Sequence, residues 1–223
     1  MRVEQDLISA AEAVLVRDGP GGLTVRAVAE QAKIAPMGVY NRLGSKAGLV
    51  NVLLVRGFDR LRTALEAAEE PGPVGRLREA SLRYRRFALD NPAFYAIMFE
   101  GVIPREKDSA EVSEHAAAAF GVLLRNVELA AAAGRIDGTA PREAAQQLWS
   151  AVHGAVVLEL KGLVQTPDPE ATYRQMTDTV LRGLGRRPRK RSRHGTTSGL
   201  IASAPEPERA GLPLARASCS LLP

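Results

Sequence analysis

A chain of 223 residues is long enough to bury a substantial hydrophobic core. It is 45% hydrophobic but only 4% aromatic, with little apolar–polar alternation, which argues for helices packed on helices and against a sheet. A single cysteine, Cys219, excludes an intrachain disulfide and a thiol metal cluster, and no run of about 18 uncharged apolar residues exists to cross a membrane. Neither export nor insertion is expected, and the cytoplasm is the expected location.

The net charge of +5 and the isoelectric point near 9.7 are unevenly spread. Residues 1–63 hold nine Lys/Arg against six Asp/Glu, residues 64–185 hold 13 against 17, and residues 186–223 hold eight against two. A mildly positive head therefore precedes a mildly acidic body, and the tail supplies most of the basicity. That asymmetry suits a DNA reader with a separate sensor.

In chain order, Val3, Leu7, Ala10, Ala11, Val14 and Leu15 fall at helical spacing until Asp18-Gly-Pro-Gly-Gly22 stops the first helix. Thr24 is an N-cap for Val25–Ala32, Pro36 suits the first turn of a third helix, and Leu43-Gly-Ser45 ends that helix while Ser45 caps the next. From Ser45 the pattern runs through Leu49, Val50, Leu53, Leu54, Phe58, Leu61 and Leu65 to Pro71-Gly-Pro73 as one long helix. Further helices are expected at about 74–90, 92–100, 109–133, 141–163 and 169–184, each bounded by Pro or Gly. Beyond Gly185 the run Arg186-Arg-Pro-Arg-Lys-Arg-Ser-Arg193 leads into an aperiodic Gly, Ser, Pro and Ala mixture, the composition of a disordered basic tail. It either adds sequence-independent phosphate contacts or is only solvated.

The expected fold is all-α with about nine helices. A three-helix helix-turn-helix DNA-binding head spans 1–46, a helical-bundle ligand-binding and dimerisation domain spans 47–185, and the tail spans 186–223. Within the head, two short helices are joined by a turn of about three residues over Thr24–Lys46. Val28, Ala32, Ile34 and Val39 would lock them together, Ala29 is small where the helices approach, and Arg26, Glu30, Asn41 and Arg42 face outward. That division of faces suits insertion into a DNA groove. On spacing alone a short helical hairpin within an ordinary bundle is the alternative.

The segments Leu23-Thr-Val-Arg-Ala-Val-Ala-Glu-Gln-Ala32 and Val39-Tyr-Asn-Arg-Leu-Gly-Ser-Lys-Ala-Gly-Leu49 resemble the TetR/AcrR transcriptional regulators over about residues 5–60. The stretch Leu148-Trp-Ser-Ala-Val-His-Gly-Ala-Val-Val-Leu-Glu159, with Asn91-Pro-Ala-Phe-Tyr-Ala-Ile-Met98, resembles the Trp-His-Gly ligand-domain subgroup of that family. The resemblance implies a ligand-responsive homodimeric repressor of double-stranded operator DNA. Thr24 and Tyr40 would touch phosphates, Lys46 would anchor the backbone, and Arg26, Pro36, Met37 and Asn41 would approach bases, with Arg42 beside them. Arg26 suits guanine O6/N7, Asn41 adenine or a phosphate, and Met37 a thymine methyl.

Two departures from the family pattern matter. Lys33 stands where the turn usually has Gly, and a left-handed backbone there would cost about 1–2 kcal/mol. Ala35-Pro36-Met37 replaces a polar helix opening, which shifts readout toward apolar contact and shape.

For an unidentified small-molecule effector the candidate lining is Tyr84, Phe87, Phe94, Tyr95, Met98, Phe99, Trp149 and His153, the alternative being ordinary core. The last two body helices carry Leu148, Ala151, Val152, Ala155, Val156, Leu163, Met176, Val180, Leu181 and Leu184. In the family such a pair forms a four-helix dimer interface. No phosphate-cradling loop, nucleophile elbow or spaced carboxylate pair is present, so no catalytic residue and no cofactor is expected. His115, His153 and His194 lack metal-ligand spacing. The competing reading is a helix-turn-helix protein of recombination or nucleoid type without a sensor.

Overall fold

Helix starts are written in side-chain chemistry. Thr24 Oγ1 accepts from Ala27 N at 3.1 Å, Ser45 Oγ from Gly48 N at 3.1 Å, Ser109 Oγ from Val112 N at 3.2 Å, and Asp168 Oδ1 from Ala171 N at 2.9 Å. Each satisfies an amide that the helix leaves without a partner. Five starts, that capped by Asp168 among them, carry proline as the first helical residue: Pro36, Pro73, Pro92, Pro141 and Pro169, where the missing N–H costs nothing.

The computed structural model describes residues 2–101 and 109–185. Among the described residues there are nine helices and no strand: α1 (Arg2–Gly22), α2 (Val25–Gln31), α3 (Pro36–Leu43), α4 (Lys46–Glu66), α5 (Pro73–Asp90), α6 (Pro92–Phe99), α7 (Ala110–Ala132), α8 (Pro141–Leu160) and α9 (Pro169–Leu184). Every expected element is present. The α1 helix kinks at Gly19, with φ 69° and ψ −176°, so its regular part stops where Asp18-Gly-Pro does, and Pro20–Gly22 adds a short further turn. The basic run 186–193 and the tail beyond it lie outside the described residues.

Helix α2 packs on α1 and α3, and α1 and α3 pack on α4. Leu7, Ala11, Val14 and Leu15 of α1, Val28 and Ala29 of α2, Val39 of α3, and Leu49 and Leu53 of α4 are all buried. Burying each large aliphatic side chain contributes about 1.5–3 kcal/mol. Lower down, α4 packs on α5, α6 and α7, and α8 packs on α5, α7 and α9. Arg85, buried on α5, pairs with Glu159 of α8 at 2.6 Å and Glu170 of α9 at 3.0 Å, which ties those three helices together.

Charged side chains join α1 to α4 and α4 to α6. The Glu12 carboxylate of α1 accepts from Arg56 at 2.8 Å and Arg60 at 2.5 Å on α4, and the Arg60 guanidinium lies 4.9 Å over the Phe94 ring of α6. At Gly57 helices α4 and α6 come so close that a Cβ would sit 2.7 Å from Met98 Sδ and 3.2 Å from Phe94 Cδ1. A larger residue there would have to push the Met98 thioether and the Phe94 ring aside.

Candidate DNA interface and ligand cavity

The turn between α2 and α3 is a Schellman motif. Ile34 N donates to Ala29 O at 3.0 Å and Lys33 N to Glu30 O at 3.1 Å, which uses up the last carbonyls of α2. The motif requires a left-handed residue, and Lys33 adopts φ 55°, the only non-glycine among the described residues with positive φ. Helices α7 and α8 end with the same bond pattern, there with Gly134 and Gly162 at φ 67°. The family pattern of glycine in this turn and its absence here therefore have a direct structural meaning.

This turn sets α3 across α2, with Val28, Ala29 and Val39 buried between them. Thr24, Arg26, Pro36, Met37, Tyr40, Asn41, Arg42 and Lys46 are all exposed. Met37 is 66% and Tyr40 46% exposed, a cost in solvated apolar surface that core packing does not explain. Arg42 Nη1 donates to Gly38 O at 3.1 Å, folding that side chain along its own helix. At the α2 end, Arg17 bridges Gln31 at 2.8 Å and Asp18 at 2.7 Å.

The second feature is a cavity of about 300 Å³ walled by α4, α5, α6, α7 and α8. Of the side chains expected from sequence, Tyr84, Phe99 and Trp149 line it. Phe87, Phe94 and Met98 are buried core and do not belong to the wall; Met98 instead packs on Gly57. Tyr95 and His153 sit behind the wall. The Tyr84 and Tyr95 hydroxyls approach each other at 3.1 Å and His153 Nδ1 at 2.9 and 2.7 Å, and the Tyr95 ring stacks on the imidazole at 5.6 Å between centroids.

Burial raises the pKa values of both tyrosines, keeping them protonated, and lowers that of His153, with Glu100 opposing more weakly. The triad closes when neutral Nδ1 accepts, which places the ring proton on Nε2.

Sequence reasoning missed the walls from α4 and α7. Phe58, Leu61 and Leu65 face Ala116, Ala119, Phe120 and Leu123 across the cavity. The alanines of Ala116-Ala-Ala-Ala-Phe120 leave space beside large neighbours, and that alternation of sizes was the available signal. Arg142 and Gln146, near the start of α8, complete the rim.

On the last two helices, Leu148, Val152, Val156, Leu181 and Leu184 are buried within the chain and cannot meet a second copy. An outward stripe runs over exposed Gly154, Leu158 and Gly183 and the half-buried Ala151, Ala155, Met176 and Val180, the last three of which also touch the core. Leu158 is 50% and Leu163 56% exposed.

A family model described as bacterial regulatory proteins of the tetR family matches residues 7–53. Another, described as tetracyclin repressor-like C-terminal domain, matches residues 77–180. The chain belongs to the TetR family. As a TetR-family protein it is a helix-turn-helix DNA-binding transcriptional regulator, and its Trp149, His153 and Gly154 lie inside the second matched segment.

An uncharacterized HTH-type transcriptional regulator of Mycobacterium tuberculosis is 28% identical over 199 residues, covering 87% of this chain and 85% of the relative. A solved structure of a protein with unknown function from Rhodococcus sp. RHA1 superposes with a TM-score of 0.75 at 27% identity, covering 82% of this chain and 96% of that one. A bacterial regulatory protein in the tetR family from Rhodococcus RHA1 shares the fold, with a TM-score of 0.63 at 20% identity over 83% of this chain and 98% of that one. Among the described residues no helix is long and apolar enough to cross a membrane, and no group of three or more His, Cys, Asp or Glu is placed to hold a metal ion.

Proposed function

We propose that this TetR-family protein is a ligand-responsive homodimeric repressor working in the cytoplasm, with residues 1–46 as the DNA-binding head and residues 47–185 as the sensing and dimerising body. The observation that carries this reading is the reach of one helix. Helix α4 has Lys46, a candidate phosphate anchor, as its first residue, and Phe58, Leu61 and Leu65 in the cavity wall. Whatever fills the cavity presses on the same rigid rod that positions the head.

A parallel route runs through α6. Phe99 lines the cavity, while Phe94 and Met98 of the same helix meet Arg60 and Gly57 of α4. Arg60 in turn binds Glu12 of α1. An effector that displaces Phe99 or Leu65 biases the head through both helices, with a coupling of about 1–3 kcal/mol, or roughly 5–150-fold in operator affinity.

The outward stripe of α8 and α9 supports pairing with a second copy, because Gly154 and Gly183 have open space where a Cβ would stand and leave room for close helix approach. Two heads in one symmetric particle would present recognition helices to half-sites about 34–36 Å apart.

The test is selection of bound duplexes from a random pool at moderate salt, with the mass of the complex measured alongside. A palindromic site bound by two chains is expected. A monomer without duplex preference overturns the reading. Gly154→Arg should return the protein to a monomer and reduce operator affinity without loss of helicity.

A further inference from the structure

The cavity's polar inventory is short, and most of it is already committed. Ser81 Oγ donates to Leu77 O at 2.8 Å, the Tyr84 hydroxyl is engaged by Tyr95 and His153, and the Gln146 amide donates to Ser150 Oγ at 3.2 Å. Arg142 is the one charged side chain of the wall. Among the described residues it has no ion pair and no hydrogen-bond partner, and both it and Gln146 are exposed at the rim.

The remainder of the wall is hydrocarbon and aromatic ring. Trp149 lies 6.0 Å from Phe120 and 6.3 Å from Phe99 between ring centroids, and its indole N–H is engaged by the Tyr84 hydroxyl, so an apolar body entering the cavity meets mostly rings and hydrocarbon. The α8 side of the cavity runs from Arg142 to Val152, about 15 Å along the helix axis. That length accommodates an extended hydrocarbon chain with one end at the rim.

We propose that the effector is an apolar monocarboxylate, its body among Phe99, Phe120 and Trp149 and its carboxylate at the rim on Arg142. This deepens the ligand-responsive reading and rests on it. Arg142 selects the head group: a carboxylate gains an ion pair with two parallel hydrogen bonds there, an alcohol accepts a single hydrogen bond without the ion pair, and an ammonium is repelled. The chain length is set by the α8 wall and the bulk by the alanines of α7.

Trp149 is the only tryptophan of the chain, so its fluorescence reads the cavity directly. The full chain is titrated with decanoate, decan-1-ol and decylamine, each below its aggregation concentration. Decanoate is expected to give a saturable change at a concentration about fivefold or more below that of decanol, the factor a partly exposed charge contact supplies, with decylamine weakest. Arg142→Gln should bring decanoate to the level of decanol and leave thermal unfolding unchanged, since that side chain is exposed and unpaired among the described residues.

Equal affinity for decanoate and decanol, or a preference that survives Arg142→Gln, overturns the proposal. Operator binding is scored in the same samples. If Trp149 reports bound decanoate while operator affinity stays constant, the site stands and the ligand-responsive reading falls. If operator binding is intact and Trp149 responds to none of the three probes, the site falls and DNA recognition stands.

Discussion

The head and the body put their chemistry on opposite sides of the protein surface. In the head the interior is plain aliphatic packing, Leu15, Leu23, Val28 and Val39 among it, and the residues expected to act are all outside, at the N-cap and along α2, on α3 and at the first residue of α4. In the body what distinguishes the sensing region is an unfilled interior bounded by Tyr84, Phe99 and Trp149. A solvent-facing site can be altered without touching stability, whereas an internal one shares its residues with the core.

The largest expected effect follows from that contrast. Leu148→Ala, at a fully buried wall position, should cost about 2–5 kcal/mol in urea unfolding. Arg26→Ala, at an exposed position, should leave unfolding unchanged but weaken operator binding by about 10–100-fold. The contrast breaks if Arg26→Ala destabilises as much as Leu148→Ala, or if it leaves operator affinity intact.

A smaller effect tests the seam between the two regions. Glu12→Gln removes the carboxylate shared by Arg56 and Arg60 and should cost about 1–2 kcal/mol. It should also reduce the ligand-induced change in operator affinity, measured by titration with and without effector. A variant that loses stability yet keeps full coupling would assign the coupling to α4 alone.

Lys33→Gly should raise stability by about 0.5–1 kcal/mol, because relief of left-handed strain at φ 55° exceeds the added freedom of the unfolded chain. The same exchange in reverse, Gly162→Lys, should destabilise by a comparable amount. Opposite signs at the two helix ends would confirm that both turns make the same backbone demand.

The last effect is on pH. Burial holds the folded-state His153 below its unfolded value, so at low pH the unfolded chain binds the extra proton and stability falls as pH drops through the unfolded imidazole pKa. His153→Gln should make unfolding free energy less dependent on pH between neutral and mildly acidic conditions. An unchanged slope would show that His153 does not carry that dependence.

Helix boundaries were legible in the sequence because they are local: Thr24, Ser45, Ser109 and Asp168 cap, and Pro36, Pro73, Pro92, Pro141 and Pro169 open, without help from the rest of the chain. The exposed DNA-facing set was legible for a related reason, since a short amphipathic helix has only two faces. The cavity was not, because a void belongs to no residue. Tyr84 and Phe87 lie three positions apart on α5, one in the wall and one in the core, and only the placement of α4 and α7 separates them. The same limit governs α8 and α9, where apolar residues such as Leu148 and Leu158 read alike yet face opposite ways.

Any tilt of α4 about its tight crossing at Gly57 would make that crossing a fulcrum. Lys46 lies eleven residues before it and Leu65 eight after it, arms of about 16 Å and 12 Å on a rigid rod. On such a rod a push on the short arm would be returned at the long arm in the opposite direction and enlarged by roughly a third. A side chain at residue 57 would press on Met98 and Phe94 and so displace that pivot.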